Sequence, residues 1–119
     1  LMIVAGEPVV LEFNARFGDP ECQALMMRFE GDLAMVLKAA AEGNLERAAG
    51  GIHFSPDPSL CVVLAARGYP GTPEKGTVIR GLESLDSLDN IRVFHAGTSV
   101  DGKGNLVASG GRVLGVAAC

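Results

Sequence analysis

Residues 9–21 read Val9-Val10-Leu11-Glu12-Phe13-Asn14-Ala15-Arg16-Phe17-Gly18-Asp19-Pro20-Glu21, a stretch that alternates in polarity before it reaches a turn. Apolar side chains at every second position fall on one face of an extended strand. Glu12, Asn14 and Arg16 fall on the opposite face. The pattern predicts a β-strand over residues 9–14, with a carboxylate, an amide and a guanidinium aligned along one side.

The polar face of this strand has two interpretations. Glu12 and Asn14 offer hard oxygen atoms, which are the ligands that Mg²⁺ and Mn²⁺ prefer. Arg16 offers a planar guanidinium that can bind a carboxylate or phosphate through two hydrogen bonds. The alternative is an ordinary half-exposed antiparallel strand, because its solvent face alternates in the same way.

The flanking residues predict a hairpin before this turn and helices after it. Residues 1–4 and 9–14 read as antiparallel strands around a turn at 5–8 that contains Gly6 and Pro8. Asp19 is predicted to cap a helix in which Pro20 takes the first position. Apolar residues then recur at helical spacing, which predicts helices over 20–30 and 32–42.

Two further signals mark the second of these helices. Gly31 interrupts the helical pattern, and Asp32 directly after it is a suitable N-cap for a new helix. Gly43 follows the last periodic residue and is a natural C-cap. The two helices are therefore expected to be consecutive and separate.

Beyond residue 50 the sequence changes to short apolar runs separated by Gly, Pro, Asp and Asn, a pattern typical of antiparallel strands. The predicted strands are 60–66, 77–79, 91–95, 106–108 and 112–117. Residues 101–105 have the composition of a hairpin loop. These patterns predict an α+β chain with two parts, residues 1–50 and a β-rich unit over residues 51–119.

Composition excludes several classes of partner. The formal net charge is −4 and the basic residues are not clustered, which argues against nucleic acid or an anionic membrane surface. No apolar run approaches the roughly 20 residues of a membrane span. The three cysteines are odd in number and widely spaced, as expected for free thiols in a reducing cytoplasm.

Several blocks of the sequence resemble one enzyme family. Residues 11–23, with Arg16-Phe17-Gly18-Asp19-Pro20-Glu21 at their centre, are similar to the signature of the glycinamide ribonucleotide synthetases, also called phosphoribosylamine–glycine ligases. Further similar blocks follow in order at 61–71, 75–76, 79–82, 94–98 and 110–114. The resemblance implies that residues 1–50 are the C-terminal part of an ATP-grasp catalytic domain and that residues 51–119 are part of the family's β-rich C-terminal domain.

The resemblance also implies chemistry for individual residues. In this family a carboxylate is activated by ATP to an acyl phosphate, which an amine then attacks. Glu12 and Asn14 would ligate Mg²⁺ or Mn²⁺, while Arg16 would bind the carboxylate of glycine and stabilise the acyl phosphate. Asp19 would contact the amine of a substrate. The implied substrates are ATP, glycine and 5-phosphoribosylamine.

His95 and Arg112 are weaker candidates for a functional role. His95 lies at the end of a predicted strand, where a general base is conceivable and a structural, hydrogen-bonded histidine is the stronger interpretation. Arg112 follows two glycines that permit close approach of the backbone, so it could bind a phosphate or simply begin a strand.

Two alternative functions stay open at this point. Another ATP-grasp ligase, similar to biotin carboxylase, would share Glu-x-Asn-x-Arg but not the other blocks. A non-catalytic β-rich binding module would leave the polar strand face to solvent or a partner. The family's enzymes are much longer than this sequence, so we expect a fragment that is inactive in isolation.

Overall fold

The N-terminal residues form a tight hairpin. In the computed structural model, which describes residues 1–85 and 87–119, β1 (Met2–Val4) pairs antiparallel with β2 (Glu7–Val9). The connecting residues Ala5 and Gly6 have φ values of 51° and 87°, as a two-residue type I′ turn requires. The predicted hairpin is confirmed, but its turn is shorter than expected because Glu7 and Pro8 lie in β2.

The strand predicted over residues 9–14 is wrong beyond Val9. Residues 10–14 have no regular secondary structure, and the side chains of Leu11 and Phe13 are 61% and 89% exposed. A strand needs a neighbour that pairs with its backbone N–H and C=O groups. No strand in the described part of the chain lies beside residues 10–14, so neither the ladder nor the buried apolar face forms.

The two helices form where they were predicted, each a few residues shorter. They are α1 (Glu21–Arg28) and α2 (Leu33–Ala41). Asp32 caps α2, since its Oδ1 accepts a hydrogen bond from the Met35 N–H at 3.1 Å. Helix α1 has no such cap: Pro20 occupies the N-cap position without a side-chain hydrogen bond, so the predictions of Asp19 as N-cap and of Pro20 as the first helical residue are wrong.

Helix α2 ends at a glycine in the left-handed conformation. Gly43 has φ of 68°, which costs a glycine little and an L-residue more. The Gly43 N–H donates to Ala40 O at 3.1 Å and the Asn44 N–H donates to Ala39 O at 2.8 Å. These two bonds form a Schellman motif, and they confirm Gly43 as the C-terminal signal.

A short pairing links α1 to the residues after α2. β3 (Phe29–Glu30) pairs antiparallel with β4 (His53–Phe54), and the rings of Phe29 and Phe54 meet edge to face at 5.6 Å. A 3₁₀ helix (Leu45–Gly51) connects α2 to β4. These contacts join residues on both sides of the predicted boundary at residue 50.

The C-terminal half is built on a three-stranded antiparallel sheet. Its strands are β5 (Leu60–Ala65), β6 (Ile91–His95) and β9 (Arg112–Ala118). β9 is the central strand and pairs with both others. Its residues are the most buried of the sheet because β5 and β6 flank it on both sides and α1 packs against it.

A second hairpin completes the core. It consists of β7 (Thr98–Val100), which was not predicted, and β8 (Leu106–Ala108), and the predicted loop at 101–105 connects them. The predicted strand at 77–79 is reduced to one bridge between Val78 and Val107, beside β8. Buried residues of β8 and β9 meet partly buried residues of the neighbouring segments to form the core: Ala108, Val113, Leu114, Ala66, Ile79, Leu82 and Val93.

The remaining sequence predictions concern cysteines and membranes. Cys22, Cys61 and Cys119 are all free thiols, as expected. Of the helices in the described ranges, none combines the length and the hydropathy of a bilayer span.

Candidate functional site

The three residues of the predicted polar strand face lie on the irregular segment after β2. Glu12, Asn14 and Arg16 are all exposed. The Arg16 Nη1 donates to the neighbouring Phe17 O at 2.9 Å, a local bond that leaves most of the guanidinium open. Within residues 1–85 and 87–119 there is no group of three His, Cys, Asp or Glu side chains placed to hold a metal. Glu12 and Asn14 can therefore supply only part of a coordination shell.

Asp19 is held by a residue far away in the sequence. The Arg112 Nη2 lies 3.2 Å from Asp19 Oδ2, and the Arg112 Nη1 donates to the Asp19 carbonyl oxygen at 3.2 Å. This double contact explains why Asp19 does not cap α1, since its carboxylate turns toward β9 instead. The side chains of Asp19 and Arg112 are 59% and 41% exposed, so water screens the ion pair. The pair therefore contributes about 0–1 kcal/mol to stability.

Three of the sequence-predicted residues meet around one small cavity. Asp19, His95 and Arg112 line a space of about 30 Å³ between the start of α1 and the ends of β6 and β9. That volume accommodates a water molecule and is far too small for a nucleotide. The structure thus brings Asp19, His95 and Arg112 together, while the residues lining this cavity do not include Glu12, Asn14 or Arg16.

Gln23 belongs to the same cavity and was missed by the sequence analysis. Its Oε1 is buried and has no hydrogen-bond partner among the described residues. Gln23 lies in the first turn of α1, which begins at Glu21, and no motif in the sequence singles it out. A buried acceptor of this kind requires a donor, which a water in the cavity could provide.

His95 makes a local side-chain hydrogen bond. Its Nδ1 lies 3.1 Å from Thr98 Oγ1 across the turn between β6 and β7. The ring is exposed, so it borders the cavity without being enclosed.

The charge of Asp19 also affects Cys61 on β5. Burial raises the pKa of its thiol, and the negative charge of Asp19 raises that pKa further. Both effects disfavour the thiolate. The Cys61 thiol is therefore less readily ionised than an ordinary cysteine.

Two larger hollows lie away from the predicted residues. A space of about 380 Å³ separates α2 from the 3₁₀ helix and is lined by Asp32, Lys38 and Arg47 among others. Another of about 490 Å³ lies between residues 78–83 and 104–106. Neither touches Glu12, Arg16 or Asp19, so size alone does not locate the chemistry.

Comparison with known proteins gives the family. The model of the phosphoribosylglycinamide synthetase C domain matches residues 59–119. The chain belongs to the phosphoribosylglycinamide synthetase family. It is 54% identical over 119 residues to a phosphoribosylamine–glycine ligase of Rhodopirellula baltica, covering 99% of this chain and 26% of that protein.

A plant protein and a solved structure agree with this result. The chain is 53% identical over 115 residues to a chloroplastic phosphoribosylamine–glycine ligase of Arabidopsis thaliana, covering 96% of this chain and 21% of that one. The crystal structure of the Thermotoga maritima phosphoribosylamine–glycine ligase matches with a TM-score of 0.52 and 34% identity, over 98% of this chain and 27% of that one. The chain spans about a quarter of the length of these relatives.

Proposed function

We propose that this chain forms part of a phosphoribosylamine–glycine ligase in purine biosynthesis. The reaction joins glycine to 5-phosphoribosylamine with ATP, giving glycinamide ribonucleotide, ADP and phosphate. The observation that carries the proposal is the identity of about half to named ligases along nearly the whole chain. It includes the Glu12-to-Glu21 segment as well as the β-rich unit, which favours this family over a biotin-carboxylase-like ligase or a non-catalytic module.

The chemistry proceeds in two steps through glycyl phosphate. A carboxylate oxygen of glycine attacks the γ-phosphorus of ATP, the bond to the β,γ-bridging oxygen breaks, and ADP leaves. The amine of 5-phosphoribosylamine then attacks the acyl carbon and phosphate leaves, with one proton lost from the nitrogen. Both steps gather negative charge, so they depend on positioned cations and donors.

Glu12 and Asn14 are the proposed metal ligands. Their side chains are exposed and make no hydrogen bonds to the described residues, so both oxygens are accessible to a cation. One carboxylate and one amide oxygen suit Mg²⁺ or Mn²⁺, with the other positions filled by water, phosphate oxygens or further residues of the ligase. When bound, the cation neutralises charge on the phosphates of ATP.

Arg16 is the proposed ligand of the glycine carboxylate. Among the described residues, only one of its nitrogens has a partner, the adjacent Phe17 carbonyl. The remaining donors of the fork can bind a carboxylate through two parallel bonds and hold it for attack on ATP. Lysine keeps the charge but cannot reproduce that planar geometry.

The test uses the full-length ligase that carries these residues. Glu12→Gln and Asn14→Ala should raise the Mg²⁺ concentration needed for half-maximal ADP formation and lower turnover sharply. Arg16→Lys should lower glycine-dependent ADP formation by at least tenfold. Glu7→Gln, an exposed carboxylate in β2, is the matched control and should leave both unchanged. Unaltered Mg²⁺ dependence in both metal-site variants would remove Glu12 and Asn14 from the site.

A further inference from the structure

We propose that Arg112 is a positioning residue for Asp19, whose carboxylate the family resemblance assigns to a substrate amine, and that the C-terminal sheet sets the geometry of the ligase site in this way. This inference rests on the function proposed above. It is carried by the double contact of one guanidinium with both the side chain and the main chain of Asp19.

Arg112 contacts Asp19 through both ends of its guanidinium. Its Nη2 reaches Asp19 Oδ2 and its Nη1 reaches the Asp19 carbonyl oxygen, each at 3.2 Å. Two contacts to one residue fix both the position of its backbone and the rotation of its side chain. Oδ1 of Asp19 has no hydrogen-bond partner among the described residues, so it is the oxygen left to accept from a substrate amine.

The backbone around Arg112 is closely packed. The Arg112 carbonyl accepts from the Gly97 N–H at 2.8 Å. A Cβ on Gly97 would lie 2.6 Å from that carbonyl oxygen, and a Cβ on Gly111 would lie 2.5 Å from the Tyr69 ring. The backbone on either side of the guanidinium is therefore closely packed, and it provides a rigid base at the start of β9.

The segment before Asp19 has little structure of its own. Residues 10–18 have no strand or helix to hold them in the described part of the chain. Arg112 anchors the end of this segment from 93 positions away. Arg16 lies three residues before Asp19 on this same segment. A shift of Asp19 would therefore change the predicted substrate contacts of both Arg16 and Asp19.

The Arg112–Asp19 contact is expected to matter more for kinetics than for folding stability. A half-exposed ion pair contributes about 0–1 kcal/mol to folding. A displacement of about 1 Å at a reacting group can cost up to a hundredfold in rate. Loss of Arg112 is therefore expected to change kinetic constants far more than the unfolding midpoint.

The experiment measures kcat, KM for each substrate and the unfolding midpoint in the full-length ligase. Arg112→Ala should raise KM for glycine or 5-phosphoribosylamine by roughly tenfold to a hundredfold, with KM for ATP unchanged. Arg112→Lys should recover part of the loss because it keeps the charge and one contact. Arg92→Ala is the matched control, since the bonds of Arg92 to the described residues go to the Asp89 and Ile91 carbonyls, and it should leave every constant unchanged.

A double-mutant cycle decides whether Arg112 acts through Asp19. If it does, Arg112→Ala should add little to the loss that Asp19→Asn causes alone. Equal losses in the two backgrounds, or unchanged KM values in an active Arg112→Ala enzyme, would overturn the positioning role and leave the ligase function standing. An unsubstituted protein that forms no glycinamide ribonucleotide would overturn both.

Discussion

Replacing Gly97 with alanine should destabilise the 119-residue chain, and the structure sets the size of the effect. Gly97 lies between β6 and β7, where an added Cβ would be 2.6 Å from both Arg112 O and Gly110 Cα, and 2.8 Å from Gly110 N. All three are backbone atoms. They cannot rotate away as the end of a side chain can, so the strands must separate.

Separation also weakens the hydrogen bonds that Gly97 makes. Its N–H donates to Arg112 O at 2.8 Å, and its carbonyl accepts from the N–H groups of Ser109 and Gly110 at 2.7 and 3.2 Å. Overpacking costs about 1–3 kcal/mol, and each backbone bond contributes about 1 kcal/mol net. Since the bonds are stretched and not all lost, we expect Gly97→Ala to lower the free energy of unfolding by about 2–3 kcal/mol.

The assay is urea unfolding followed by far-ultraviolet circular dichroism. Gly102→Ala is the control, because nothing lies within 4 Å of a Cβ at that position, and it should change the free energy of unfolding by less than about 0.5 kcal/mol. An unfolding midpoint for Gly97→Ala equal to that of Gly102→Ala would refute the close approach of residues 97 and 110 and, with it, the rigid base assigned to Arg112.

Two further predictions concern the cap of α2 and the thiol of β5. Asp32→Ala should lower the free energy of unfolding by about 1 kcal/mol by removing the bond to the Met35 N–H, whereas Asp32→Asn should nearly preserve it; equal effects of the two variants in urea titrations would exclude the cap. Cys61 should react with iodoacetamide more slowly than Cys119 at mildly alkaline pH, because burial and then Asp19 raise the pKa of the Cys61 thiol. The protonated thiol stabilises the fold below the ordinary thiol pKa, and this contribution is lost as the pH rises through the raised value. Asp19→Asn should speed the alkylation of Cys61, and a rate that does not change would contradict the charge effect.

The elements that could be predicted from the sequence are those with local causes. Asp32 caps its own helix three residues ahead, and Gly43 ends that helix through bonds to residues within one turn. The strands of the C-terminal sheet are bounded by turn residues that lie beside them in the sequence. In each case the physical cause and its effect are a few residues apart, so a pattern can reveal them.

The predictions that failed depend on partners far away in the chain. Asp19 has the residue type and position of a helix cap, but Arg112 competes for its carboxylate from 93 positions away. The strand at 10–14 has an alternating pattern, but a pattern cannot supply the neighbouring strand. Gln23 could not be predicted because the burial of its unpartnered oxygen arises only when α1 packs against the sheet.

The Asp19–Arg112 contact also connects the stability prediction to the kinetic one. The carbonyl of Arg112 is the atom nearest to a Cβ at Gly97, together with Gly110 Cα, so Gly97→Ala pushes on the same residue that Arg112→Ala truncates. If the sheet only covered the site, Gly97→Ala would alter ligase kinetics only to the extent that it unfolds the protein. If Arg112 positions Asp19, Gly97→Ala should raise the same KM as Arg112→Ala at temperatures where the protein is fully folded. In the double variant, Gly97→Ala should then add no further increase to the KM of Arg112→Ala. The backbone approach at residues 97 and 110 would then belong to the mechanism as well as to the fold.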